Sequence, residues 1–110
     1  MDLYPHVVRA ALARFPLGSQ ERLGDQAKVI VKYFFPAGRY TFYVTEAEKE
    51  GTDVRLFGYC VSALGEDCDE WGYTMLSELQ SLRVRGLTME RDLGFPIAAR
   101  TVADALARAA

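Results

Sequence analysis

Y-T-F-Y-V-T-E at Tyr40–Glu46 and V-R-L-F-G-Y-C at Val54–Cys60 decide the fold. Both stretches are rich in aromatic and β-branched side chains, which suit a pleated, half-buried surface. The connector between them, Ala47 to Asp53, carries Gly51 and several charges, as solvent-facing turns do. The pair reads as a β-hairpin. Alternation sends Tyr40, Phe42 and Val44 to one face and Thr41, Tyr43 and Thr45 to the other.

The flanking chain supplies packing partners. On the N-terminal side, Ala27–Phe35 alternates in part, with Val29, Val31, Tyr33 and Phe35 on one side, and reads as a strand. Pro36–Arg39 is a turn joining it to the hairpin. Before it, Pro5, then Val8, Ala11, Leu12 and Phe15, predict a helix over 3–15 that Pro16 and Gly18 end. Leu17–Gln26 reads as a polar connector. On the C-terminal side, G-E-D-C-D-E at Gly65–Glu70 is a polar loop, and Gly72 and Tyr73 return to the sheet or cap its edge. Leu76, Leu79 and Leu82 predict a short helix over 75–84, with Thr74 as N-cap and Gly86 as its stop. Thr88–Leu93 reads as a last short strand. Thr101 with Asp104 opens a terminal helix over 101–109. The expected fold is α+β: an antiparallel sheet of three to five strands with the N-terminal and 75–84 helices packed on it, in one domain spanning 1–110.

A chain of 110 residues buries roughly 65% of its unfolded surface, enough for a core without metal or disulfide. The longest apolar runs fall short of the roughly 20 residues of a membrane helix, and no leader pattern is visible, so a cytoplasmic protein is expected. Cys60 and Cys68 are then expected as thiols. The net charge of −2 conceals segregation: residues 1–45 carry +3, residues 46–80 carry −7 and residues 81–110 carry +2. A nucleic-acid binder shows a basic stripe, and this balance argues against one.

Few residues carry chemistry. His6 is the only histidine and sits at a helix start, which suits a surface histidine better than a catalytic one. Cys and His together are too few for the roughly four ligands of a zinc site. Glu66, Asp67, Asp69 and Glu70 lack the frame of a calcium loop and read as a solvated turn or an acidic face for a basic partner. Glu46, Glu78, Glu90, Arg91 and Asp92 form a candidate polar cluster. Its plain reading is ion pairing, with Arg91 serving Glu46 or Glu78. Its functional reading is a polar site with Glu46 or Glu90 as acid or base. No nucleotide loop occurs and no cofactor is expected. Tyr33, Tyr40, Phe42, Tyr43, Phe57, Tyr59, Trp71 and Tyr73 are more aromatics than one sheet face needs. Tyr40, Phe42, Tyr43, Tyr59, Trp71 and Tyr73 are the candidate contacts. With the acidic residues at 66–70 they form a candidate protein-binding face, since Tyr and Trp anchor interfaces. The alternative is that helices cover both faces.

Five motifs occur in order: F-Y-V-T-E at Phe42–Glu46, L-F-G-Y-C at Leu56–Cys60, W-G-Y at Trp71–Tyr73, L-S-E-L at Leu76–Leu79 and M-E-R-D-L at Met89–Leu93. Together they resemble a small bacterial domain-of-unknown-function family, commonly encoded on plasmids, phages and other mobile elements. The resemblance covers about 29–95. Thr74-Met75 departs from it, standing where that family tends to have an aromatic and a serine cap, and the Ala-rich terminal helix lies outside it. The resemblance implies no biochemical activity.

The expectation is a small non-enzymatic protein-interaction protein, an accessory or counter-defence factor of a mobile element. Its partner would be a protein met through the aromatic face and the acidic segment. The rival is a small hydrolase or ligand-binding domain using Glu46, Glu90, Arg91 and Asp92. A third reading is a nucleic-acid accessory using Arg83, Arg85 and Arg91.

Overall fold

The computed structural model describes residues 1–109. In chain order the elements are α1 (His6–Leu12), a 3-10 segment (Glu21–Gln26), β1 (Lys28–Val29), β2 (Val31–Phe34), β3 (Thr41–Glu50), β4 (Asp53–Val61), a 3-10 turn (Glu66–Cys68), β5 (Glu70–Met75), α2 (Leu76–Ser81), β6 (Arg83–Val84), β7 (Leu87–Thr88), β8 (Glu90–Arg91), β9 (Arg100–Thr101) and α3 (Val102–Ala109). Five strands form one antiparallel sheet in the order β5-β4-β3-β2-β8. The fold is α+β, with the N-terminal and post-sheet helices packed as the sequence predicts.

The hairpin β3–β4 is the spine, and it is longer than its apolar stretches. It turns at Gly51-Thr52, where Gly51 takes φ +63°. The charged residues before the turn belong to the ladder: Glu48 pairs with Arg55 and Glu50 with Asp53. Charge there marks an exposed strand end, which composition alone reads as loop.

A bulge at Thr45 sets the faces. The register shifts between Val44 and Glu46, so the extra residue reverses the alternation that follows. Without it, Glu46 would enter the apolar layer that holds Phe42 and Val44. With it, Glu46 lies opposite Phe57 and Ala47 opposite Leu56, and it is Ala47 that enters the core. Gly58 sits opposite Val44. A Cβ there would lie 2.0 Å from the Tyr43 carbonyl oxygen.

The predicted strand 27–35 is broken at Ile30, whose N–H bonds to the Val44 carbonyl at 2.8 Å. The break reverses the alternation again. Val31, Tyr33 and Phe35 share a core with Ile30, while Val29 joins the opposite one. The larger core lies between one sheet face and α1 with α2, through Val8, Leu12, Leu76 and Leu79 against Tyr33, Phe42, Val44 and Leu56. The smaller lies on the other face, where Val102 and Ala105 of α3 cover Val29 and Tyr43.

Helix α2 stops at Ser81, short of the expected Val84. Arg83–Val84 pairs instead with Leu87–Thr88 around Arg85-Gly86. Both turn residues have positive φ, +52° and +80°, as a two-residue hairpin turn of the primed kind requires. Gly86 therefore makes a hairpin and does not cap a helix. Thr74 remains in β5, opposite Leu56. The start of α2 is held by two carboxylates: Glu78 accepts from the Met75 N–H at 3.2 Å, and Asp53 accepts from the Ser77 N–H at 3.1 Å and from the Ser77 hydroxyl. Thr101 caps α3 as the sequence predicts, accepting from the Asp104 N–H at 3.1 Å. Among the described residues no helix is long and apolar enough to cross a membrane.

Candidate functional site

Two of the sequence motifs meet face to face. Phe57-Gly58-Tyr59 on β4 runs antiparallel to Trp71-Gly72-Tyr73 on β5, with Phe57 opposite Tyr73, Gly58 opposite Gly72 and Tyr59 opposite Trp71. Opposed residues share a face, so four aromatic rings line one side of this strand pair and the two glycines the other. Phe57 stacks on Trp71 at 5.7 Å and 19° between planes, Phe57 meets Tyr73 at 4.8 Å, and Trp71 takes the edge of Tyr59 at 5.6 Å. The Arg55 guanidinium caps the row, 5.8 Å from the Tyr73 ring.

The ladder is covered only in part. Tyr59 and Trp71 touch the rim of the smaller core and stay half-buried. Tyr73 is 60% exposed. A groove of about 180 Å³ lies beside Phe57 and Trp71, lined also by Gln20 and Glu21. Phe57 belongs to the aromatic surplus read from the sequence but not to the candidate binding face. The repeated aromatic-Gly-aromatic triplet is the signal that marks it.

The other expected face residues go elsewhere. Phe42 is fully buried beneath α1 and α2, and Tyr43 is 2% exposed because α3 covers it. Both are core residues, so the excess of aromatics is divided between two cores and one open ladder. Tyr40 is half-buried against the larger core, and burial pushes its hydroxyl pKa up to about 12. Burial likewise raises the Cys60 thiol. Cys68 is exposed and both cysteines are free thiols.

The acidic loop is partly structural. Arg39 makes two hydrogen bonds of 2.7 Å to Asp69, which also accepts from the Ser62 N–H at 2.7 Å. The guanidinium holds the Asp69 carboxyl below its usual value. Glu66, Asp67 and Glu70 are exposed, and none of the ion pairs among the described residues involves them. Among the described residues no three Asp, Glu, His or Cys side chains gather as a metal set would.

The polar cluster does not converge. Glu46 is 3% exposed and accepts the N–H groups of Gly18 at 2.7 Å and Gln20 at 2.8 Å, pinning the connector to the sheet. Gln20, which nothing in the sequence signals, adds amide bonds to the Lys28 and Thr45 carbonyls and accepts the Lys28 N–H. Glu78 is spent at the start of α2. Asp92 pairs with Lys32 at 3.3 Å. Glu90 lies opposite Phe34 and Arg91 opposite Tyr33 in the short edge strand β8. Arg91 serves neither Glu46 nor Glu78, and its Nε is buried without a partner. Glu46 and Asp92 line different depressions. Arg83 and Arg85 stand exposed on the β6–β7 hairpin, and His6 is exposed at the start of α1. A depression of about 560 Å³ lies between α1, the hairpin tip and α2, with Tyr4, Arg9, Lys49 and Gln80 around a floor of Leu12, Val54 and Leu76.

A family model described as protein of unknown function (DUF2958) matches residues 3–110 of this chain. The match extends well beyond 29–95 and takes in the terminal helix. No curated protein and no solved structure matches the chain. The chain belongs to the DUF2958 family.

Proposed function

We propose that this member of the family is a non-enzymatic protein-interaction protein that grips its partner through the Phe57–Tyr59–Trp71–Tyr73 ladder, with the acidic 66–70 segment beside it. The observation that carries this reading is the ladder itself: four aromatic rings joined by successive contacts on one strand pair, with Tyr73 60% exposed and Phe57, Tyr59 and Trp71 half-buried. Rigid aromatics of this kind anchor interfaces at low entropic cost. The divergence of Glu46, Glu90, Arg91 and Asp92 speaks for the same reading, because catalysis needs its groups within reach of one reacting atom. An accessory or counter-defence role for a mobile element belongs to the proposal and rests on the sequence resemblance; a cytoplasmic location belongs to it as well, as the sequence reading expects.

The test is a pull-down from host lysate with Tyr73→Ala and with a Glu66→Gln/Asp67→Asn/Glu70→Gln triple variant. Tyr43 and Asp69 are left intact because both hold the fold together. A stoichiometric partner lost with Tyr73→Ala supports the reading. A partner retained at full strength by both variants overturns it. A second reading, small-ligand binding, is favoured by the cleft between α1, the hairpin tip and α2, whose size of about 560 Å³ falls in the range of ligand sites. A thermal-shift screen of the chain against its Arg9→Gln/Lys49→Gln variant checks it: a compound that stabilises only the parent supports it, and equal shifts in both sink it.

A further inference from the structure

We infer that the partner of this ladder is an extended, basic peptide segment that adds to β5 as a sixth strand of the sheet. The inference rests on the interaction reading above and specifies its mode. Strand β5 is the outer member of the five-stranded order. Every second residue of such a strand turns its N–H and C=O away from its neighbour, free to pair with another chain. Proteins usually blunt such edges with lysine, proline, a bulge or brevity. The opposite edge, β8, is only two residues long, and the Arg91 N–H is met by the Met1 sulfur at 3.0 Å. Strand β5, by contrast, runs for six residues, E-W-G-Y-T-M, with no bulge in its pairing to β4 and no proline or basic residue.

On the face opposite the ladder, β5 is open at its middle. A Cβ built on Gly72 meets nothing within 4 Å. A glycine inside a strand often marks the close approach of another backbone. On the ladder face, Trp71 and Tyr73 are the aromatic residues of this edge strand, so an added strand would lay alternate side chains beside them. Arginine is the side chain best suited to stack there, through its flat guanidinium.

Charge selects the occupant. Glu66 and Asp67 lie in the turn that leads into β5 and Glu70 begins the strand, all exposed and without ion-pair partners among the described residues. They belong to the segment 46–80, which carries −7. A second copy pairing β5 with β5 would bring two such segments together, and like charges oppose that. A basic strand gains what the second copy loses.

The test uses short synthetic peptides with Arg or Lys at alternate positions, the same peptides with Glu in those places, and basic peptides N-methylated along the backbone. Binding is read by amide hydrogen exchange of the whole chain. The expected result is that the basic peptides bind and slow exchange at alternate residues of Glu70–Met75, while the acidic and N-methylated versions do neither. If N-methylated peptides bind as well as their parents, side chains alone hold the peptide, and strand addition is overturned while the ladder reading stands. If no basic peptide binds, the inference is overturned, and the Tyr73→Ala pull-down reports separately on the ladder. If the same amides are protected in concentrated protein without peptide, a second copy fills the edge and the inference is overturned.

Discussion

Gly58 has no room for a side chain. Its Cβ would meet the Tyr43 carbonyl oxygen at 2.0 Å and the Val44 Cα at 2.9 Å, both backbone atoms that cannot swing aside. The glycine lets β4 close on the Thr45 bulge, and the bulge directs Glu46 away from the larger core. Gly58→Ala is therefore expected to cost about 3 kcal/mol, the upper range for overpacking at a rigid site. Urea unfolding measures it, and a loss below about 1 kcal/mol would show that the bulge relaxes freely. Glu46 answers to the same geometry. Its two oxygens each take a backbone N–H, and charged acceptors strengthen such bonds. Glu46→Gln leaves one oxygen and turns an NH₂ toward a donor, so a loss of about 2 kcal/mol is expected in the same experiment. The family-like motif at 42–46 named this residue without its role, because the two donors lie 28 and 26 positions away in sequence.

At the scale of elements, the sequence was readable wherever one period ran unbroken. The hairpin, the short helix after it and the capped terminal helix all follow from alternation or helical spacing. Misreadings gather where a backbone irregularity resets the count. Ile30 divides a strand that reads as continuous, Thr45 reverses the faces of β3, and the Arg85-Gly86 turn ends a helical pattern by making a hairpin. The start of α2 was misread for a different reason. Its capping groups include Asp53, 24 positions away at the hairpin tip, and no local pattern signals a cap supplied from another element. That contact makes α2 acid-sensitive. The Ser77 hydroxyl, then the Val54 N–H, hold the Asp53 carboxyl below its usual value. A carboxylate depressed in the folded state contributes its stability fully at neutral pH. The contribution fades as pH falls below the ordinary carboxylate range and through the lowered folded value. Asp69 and Glu50 shift the same way, through Arg39 and Arg55. Stability measured across this window is expected to fall, and Asp53→Asn is expected to lower the plateau at pH 7 and flatten the decline. An unchanged slope in that variant would remove Asp53 from the account.

Over the whole molecule, charge and aromatic surface are arranged together. Three basic residues of 1–45 and 81–110 pair with acids of those same two segments: Lys32 with Asp92 at 3.3 Å, and Arg100 and Arg108 with Asp104 at 3.9 and 3.1 Å. Arg39 instead crosses to neutralise Asp69 in the acidic segment. Of the acidic residues of 46–80 that no ion pair among the described residues meets, Glu66, Asp67 and Glu70 are the ones next to the edge of β5. This site was half legible. Composition announced surplus aromatics beside an acidic run, but only the pairing of Phe57-Gly58-Tyr59 with Trp71-Gly72-Tyr73 shows which of them stay open. Such a surface fixes how binding responds to salt. Exposed charges are screened within about 8 Å at physiological ionic strength, so affinity for a basic strand is expected to fall steadily as salt rises. The Glu66→Gln/Asp67→Asn/Glu70→Gln variant is expected to bind more weakly at low salt and to respond little to further salt. Tyr73→Ala is expected to weaken binding by about 2 kcal/mol or more while keeping the salt slope of the parent. Titration calorimetry at a series of salt concentrations separates the two contributions. A triple variant that keeps the parent slope would place the electrostatic contact elsewhere, and the acidic segment would then be a solvated turn that merely adjoins the ladder.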